Sequence, residues 1–349
     1  MAADFSVIEG PYLRDILDQP RALDATLAAL TCPDELHSLA SRFQRGDFRC
    51  IVLTGMGSSF HALHPTNLEL IRRRFLSLMV ETSELVHYQN ELFDEKTLIV
   101  AVSQSGESVE MLRLLEANAG RSKIIAITNT AHSPLDENAT AAILTEAGRE
   151  FSVSCKTYTT ALLCLKWLTA VLCGDNLASI REELALAAPA VKTYLAHWQQ
   201  HTQSMAHQLK GVARLFLVGR GTSLAAVGTG ALTIKESDHF PAEGMSSAAF
   251  RHGPFEMLSP ETFVLAFAGE NSTRELNLRL LRDIREQDGK AALVGVASED
   301  PACKLSPAPP SIHPILEILP VQMLTLALAA QTGREAGRFE FATKVTTVE

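Results

Sequence analysis

The chain has 349 residues, 46 % of them apolar and 20 % charged, with a formal net charge of −9. This is an ordinary globular composition with length for two domains, and a negative balance without any basic run argues against nucleic acid or an anionic membrane as partners. The six cysteines (Cys32, Cys50, Cys155, Cys164, Cys173 and Cys303) form no C-x-x-C pair, which fits a reducing, cytoplasmic setting. The N-terminus lacks the charged-then-apolar pattern of a signal peptide. The most apolar stretches, Tyr158–Cys173 and Ile315–Ala330, read as too short to span a bilayer and carry Lys166, Glu317 and Pro320.

Residues 1–45 read as helical, with a first helix stopped at Gln19-Pro20 and further helices over Ala22–Leu30 and Pro33–Phe43. Five short apolar runs follow, at Cys50–Thr54, Leu76–Thr82, Leu98–Val102, Lys123–Thr128 and Ala142–Thr145, most of them separated by helical spacing. That alternation predicts a doubly wound parallel sheet, whose ligands sit beyond the carboxyl ends of the strands. Two loops fall there: Gly55-Met-Gly57-Ser58-Ser59-Phe60-His61 and Ser103-Gln104-Ser105-Gly106-Glu107-Ser108. The second packs three hydroxyls, an amide and a glycine between a strand and a helix. A helix start offers unpaired N–H groups and positive potential, so these hydroxyls can cradle a phosphate without Lys or Arg. Taken alone, Ser105 and Ser108 read more simply as a helix cap, and only the rest of the chain changes that.

After a helical connection (Tyr158–Cys173, Ile180–Ala188, Val191–Leu209) the pattern restarts. Arg214–Val218 is a strand, Gly219-Arg220-Gly221-Thr222-Ser223 repeats the turn at Gly55–Ser59, and Leu224–Ser237 is a helix. Strands over Thr262–Ala268 and Ala291–Val296 match the third and fourth of the first copy, so the chain reads as two copies of one α/β unit about 160 residues apart. The second copy ends its matching strand in Ala268-Gly269-Glu270-Asn271, without the hydroxyls. It carries instead Glu236 and His252, the latter in a rigid His-Gly-Pro loop. A carboxylate and a histidine are a common proton-transfer pair near neutral pH, although each alone reads more simply as a solvated helix-end acid and a hydrogen-bonded loop histidine. His61-x-x-His64 has helical metal-ligand spacing but no third ligand. Lys156, at a helix start, is badly placed for the dipole and calls for an anionic partner. The boundaries read as N-terminal helices 1–45, a phosphate-loop domain 46–175, a helical connection 176–209, an acid–base domain 210–331 and a closing tail 332–349.

Several segments in order resemble the tandem sugar isomerase (SIS) domain proteins, most of all the isomerase half of the glucosamine-6-phosphate synthases (glutamine–fructose-6-phosphate aminotransferases). They are Asp18-Gln19-Pro20, Gly57-Ser58-Ser59-Phe60-His61-Ala62, Ser103–Ser108, Ser154-Cys-Lys-Thr-Tyr-Thr-Thr160, Gly219-Arg-Gly221, Ile234-Lys-Glu236, Arg251-His-Gly-Pro254 and Lys344-Val-Thr-Thr-Val-Glu349. The resemblance implies two SIS domains in a pseudo-twofold repeat, each a flavodoxin-like five-stranded parallel sheet flanked by helices, and no cofactor or metal. It implies that Ser59, Ser103, Gln104, Ser105 and Ser108 hold a sugar phosphate and that Ser152 and Ser154 touch the sugar. Glu236 would move a proton between C1 and C2, and His252 would open the ring from a neighbouring subunit, so a homodimer with an interfacial active site is expected. Lys344 would meet the open-chain sugar.

Three departures narrow the expectation. No glutaminase domain or Cys at residue 2 precedes the match, a lysine of the synthases is Thr233 here, and a Pro-Arg segment is Phe339-Glu340-Phe341. The expected activity is therefore that of a hexose or hexosamine 6-phosphate isomerase or deaminase. The alternatives are a deglycase of phosphorylated sugar–amine adducts and a non-catalytic sugar-phosphate sensor. A dinucleotide oxidoreductase is rejected, because neither glycine turn has the third glycine at the required spacing.

Overall fold

The computed structural model describes residues 5–341 and 343–346; the end of the C-terminal segment, Thr347-Val348-Glu349, lies outside them. The chain forms two compact units. One comprises Arg21–Arg149, Lys156–Ala185 and the tail from Phe341; the other comprises the N-terminal residues up to Pro20, Glu150–Cys155 and Leu186–Glu340.

The first unit is built on five parallel strands, β1 (Cys50–Gly55), β2 (Ser77–Glu81), β3 (Thr97–Val102), β4 (Lys123–Thr128) and β5 (Ala141–Leu144), in the order β2-β1-β3-β4-β5. β1 and β3 are buried from end to end, as central strands covered on both faces must be. Alternate residues Val52, Ile99, Ala101 and Ile124 pack with Met111 and Leu114 of the helix Val109–Asn118. The register sets Gly55 beside Val102, so the loops after β1 and β3 leave the sheet as neighbours. β1 also pairs with β2 on its other side, which makes this the point where the strand order reverses. The long helix Lys156–Cys173 is buried along nearly its whole length. Its Lys166 Nζ lies 2.8 and 2.9 Å from the two carboxylate oxygens of Glu69, so the cation in that apolar run is neutralised.

The second unit repeats the plan with β6 (Arg214–Gly219), β7 (Ala242–Ser246), β8 (Thr262–Phe267) and β9 (Lys290–Val294), in the order β7-β6-β8-β9. Two expectations are corrected here. The sheet has four strands, not five, because the fifth position is reduced to one parallel bridge between Gly295 and Lys304. Pro307, Pro309 and Pro310 follow that bridge, and prolines have no N–H with which to extend a ladder. Conversely, β7 has no apolar run and was invisible to periodicity. It is held by pairing with β6 and by close packing, since a Cβ at Gly244 would stand 2.5 Å from the Val227 carbonyl oxygen.

The apolar C-terminal stretch also differs from expectation. His313–Thr332 is helical over 20 residues, long and apolar enough by length and composition to cross a membrane, yet 89 % of its most apolar window is buried in the fold. It serves as a core helix. Gln19 ends up not as a stop but as an anchor: its amide and that of Gln322 exchange two hydrogen bonds of 2.9 and 3.1 Å, fully buried, and Gln19 Nε2 also donates to the Ile16 carbonyl. Pro20 falls in the first turn of the next helix, Gln19–Ala29, where a missing N–H costs nothing. Gln322→Ala strands a buried amide and is expected to cost about 1–3 kcal/mol in denaturant unfolding, whereas the Gln19→Leu/Gln322→Leu pair should recover most of that loss.

Candidate functional site

The first unit's candidate residues gather around the ends of β1 and β3. Ser103 N–H still donates to Ile127 of β4 at 3.0 Å; beyond it the chain turns on its own hydroxyls. Gly106 N–H donates to Ser103 Oγ (3.1 Å) and Glu107 N–H to Ser105 Oγ (3.3 Å). Accepting these bonds leaves each hydroxyl its own hydrogen to donate. The Gln104 carbonyl accepts from Asn129 N–H at 3.1 Å, which fastens the loop to the end of β4. Gly106 has φ 67°, and a Cβ there would lie 2.7 Å from the Ser133 Cβ. Only glycine fits.

Ser108 is the N-cap residue of the helix Val109–Asn118, but its side chain makes no cap hydrogen bond. The capping reading is thus not realised, and the hydroxyl is not spent on the helix. The Val109 N–H, a free donor in an isolated helix, is taken by the Thr346 carbonyl at 3.1 Å. This bond docks the tail on the loop and brings half-buried Lys344 to within two residues of the contact. Ser59 is half-buried on the short helix Gly57–His61 after β1. His61 and His64 stack with their rings 6.3 Å apart and both edge against Phe60. Burial lowers the His64 pKa. This is aromatic packing.

The second unit holds Ser152, Ser154, Glu236 and His252. Glu236 is half-buried in the last turn of the helix Leu224–Asp238. Next to it, Ser237 Oγ accepts the Gly337 N–H at 3.0 Å, and the Gly337 carbonyl accepts from Ser152 Oγ. Asp15 accepts the Phe151 N–H at 2.7 Å, and Glu150 Oε1 accepts the Cys155 N–H at 3.0 Å. The segment 150–155 is therefore tied through Gly337 to the helix that carries Glu236. Ser152 is buried with its proton committed to Gly337, while Ser154 is half-buried. Gly337 has φ 73°, and a Cβ there would collide with Ser152 Oγ and lie 2.7 Å from Tyr12 Cβ. Gly337→Ala is expected to lower the thermal midpoint by the equivalent of about 1–3 kcal/mol.

His252 shares none of these bonds. It is exposed, caps the short helix Ser247–Arg251 through its N–H to the Ala249 carbonyl (2.9 Å), and is followed by Gly253 at φ 134°. The loop is pinned from one side by an Arg251–Asp283 ion pair.

Sequence reasoning assigned no role to the buried acids Asp238 and Glu317. Asp238, two residues beyond Glu236, has no well-formed hydrogen bond at either oxygen among the described residues. Burial pushes its carboxyl well above the usual carboxylate range, and the Ser237 hydroxyl and Arg334 offset only part of this. Glu317 is 2 % exposed; its Oε1 accepts from Ser223 Oγ at 2.7 Å. Burial, opposed by that bond and reinforced by Glu270, pushes Glu317 up to about 7. For Glu317 the available signal was a lone acid inside an apolar helical run; Asp238, at the polar end Lys235-Glu236-Ser237-Asp238, offered none.

The family described as "SIS domain" matches residues 48–171 and 208–331, one match on each sheet. The chain belongs to the SIS domain family. Among curated SIS relatives, the glutamine–fructose-6-phosphate aminotransferase (isomerizing) of Thermococcus kodakarensis is 28 % identical over 355 residues, covering 97 % of this chain and 58 % of that protein. The chain thus spans a little over half the length of the curated relatives it matches. The C-terminal domain of glucosamine-fructose-6-phosphate aminotransferase from Francisella tularensis superposes with a TM-score of 0.84 at 22 % identity, covering 95 % of this chain and 98 % of that one. Tagatose-6-phosphate ketose/aldose isomerase from Escherichia coli superposes with a TM-score of 0.78 at 21 % identity, covering 96 % of each chain. These likenesses establish the tandem SIS fold.

Proposed function

We propose that this SIS protein is an aldose–ketose isomerase or amino-sugar deaminase acting on a hexose or hexosamine 6-phosphate. The observation that carries the reading is the Ser103–Ser108 loop, whose hydroxyls stay available at a strand switch point beside a helix start, with the Lys344-bearing tail docked on it. In this reading Ser59, Ser103, Gln104, Ser105 and Ser108 hold the phosphate. Ser154 touches the sugar, and Ser152 positions that segment through Gly337. Glu236 takes the proton from one of C1 and C2 and returns it to the other through an enediol or enolamine. Lys344 meets the open-chain carbonyl. His252 opens the ring in a second copy of the chain; its exposure on a stiff loop supports that role and a homodimer. The buried Thr233, in place of a lysine of the synthases, argues against amino transfer from glutamine.

The test is turnover in deuterated water with fructose, glucose and glucosamine 6-phosphates. Deuterium at C1 or C2, with interconversion or ammonia release, is expected. Binding without label in any of them would replace this reading with the non-catalytic sensor, and turnover confined to sugar–amine adducts would make the protein a deglycase. Gly106→Ala strains and crowds the loop at the phosphate end only. It should weaken glucose 6-phosphate binding in calorimetry by about 10- to 100-fold.

A further inference from the structure

The second unit repeats the first unit's glycine turn, with its own side chains lying against it. Gly219-Arg220-Gly221-Thr222-Ser223 follows β6 as Gly55-Met56-Gly57-Ser58-Ser59 follows β1, with φ 61° at Gly221 and 54° at Gly57. β6 lies between β7 and β8 as β1 lies between β2 and β3, so Ser223 holds the place of Ser59 at a switch point. β8 and β3 correspond residue for residue, which sets Glu270 in the place of Ser105.

The surroundings follow from this substitution. Ser223 is fully buried and donates to Glu317 Oε1 at 2.7 Å at the start of the 15-residue helix Leu224–Asp238. Glu317 Oε2 meets no donor among the described residues. A Cβ on Gly221 would lie 3.3 Å from Glu270 Oε1, so that carboxylate covers the turn. Arg220 Nε is taken by Asn277 Oδ1 at 3.2 Å, and Asn277 Nδ2 by the Ala268 carbonyl at 3.1 Å. His313 Nδ1 is 4.0 Å from Glu317 Oε1, and Arg274 acts on His313 through space. The turn thus keeps the hydroxyl and the helix start that suit an anion, while two carboxylates stand where ligand and loop hydroxyl would be.

We propose that Glu317 and Glu270 close a latent phosphate-monoester site in the second SIS domain, Glu317 taking the anion's place on Ser223 and Glu270 repelling any competitor. This rests on reading the Ser103–Ser108 loop as the phosphate anchor. Its consequence is specificity of orientation: a sugar phosphate has only one of the two repeats open to its charged end.

Calorimetric titration of the full chain with glucose 6-phosphate tests this, using wild type, Glu317→Ser, Glu270→Ser/Glu317→Ser, and each of these with Ser103→Ala/Ser105→Ala. Wild type should bind one equivalent per chain, lost with Ser103→Ala/Ser105→Ala. The Glu270→Ser/Glu317→Ser protein should bind two, and one should survive addition of Ser103→Ala/Ser105→Ala. A folded Glu270→Ser/Glu317→Ser protein that gains no equivalent overturns the proposal. If wild type binds none, the functional reading fails, and the latent site is still decided by whether the double variant gains one. Should the serine variants not fold, Glu270→Ser/Glu317→Asn keeps a polar group that stops short of Ser223 and is judged by the same count.

Discussion

Replacing Glu236 by Gln should slow C1–C2 proton exchange by about 10³-fold, within the 10²–10⁴ range of general acid–base contributions, while leaving the affinity for glucose 6-phosphate unchanged. Gln keeps the size and polarity of the side chain and removes only the proton acceptor. The hydrogen bond from Gly337 N–H goes to Ser237 and is untouched by the substitution. Phosphate affinity is assigned to the Ser103–Ser108 loop, so binding and chemistry should separate. Solvent-deuterium incorporation followed by NMR, beside calorimetric affinity, checks this. Unchanged exchange in Glu236→Gln would remove Glu236 from the mechanism, and a parallel loss of affinity would assign it to substrate holding.

Glu317→Gln should flatten a pH dependence of stability that wild type shows between about pH 4.5 and 7. Glu317 has a folded pKa raised from 4.5 to about 7, with burial as the largest cause. The folded state therefore holds a proton that the unfolded state has released, and stability falls as pH rises through this window. Below it both states are protonated and above it both are ionised, so the slope is confined there. The total is on the order of 3 kcal/mol, lost by wild type and not by the variant. Half-buried His313 has a lowered pKa, from burial first and Arg274 second. Its slope has the opposite sign, and because His313 Nδ1 lies 4.0 Å from Glu317 Oε1 the difference between the two proteins' denaturant curves at pH 4.5, 6 and 8 reports Glu317 together with its effect on His313. A constant difference across that range would mean that Glu317 ionises freely in the fold.

The unbroken apolar runs at β1 and β3 identified the sheet because strands buried on both faces carry no polar alternation. The Ser103–Ser108 loop was legible for a related reason: its hydroxyls, its glycine and the helix that follows are all local in the chain. The repeat was legible through Gly55–Ser59 and Gly219–Ser223. β7 was not, because Ala242–Ser246 is a strand only by virtue of the neighbour it pairs with. The fifth strand implied by the resemblance is missing where Pro307, Pro309 and Pro310 follow Lys304.

By itself, then, the sequence determined the two parallel sheets, the hydroxyl loop after β3 and the glycine turns, since periodicity and turn chemistry act over a few residues. Only the tertiary structure decided which polar groups face which partners. Ser152 is bonded to Gly337, Gln19 to Gln322 and Glu317 to Ser223, all far apart in the chain. Such partners are chosen by packing, and burial then sets their protonation: the same glutamate that reads as a stray charge in an apolar helix becomes, once enclosed against Ser223, an acid that titrates at about 7.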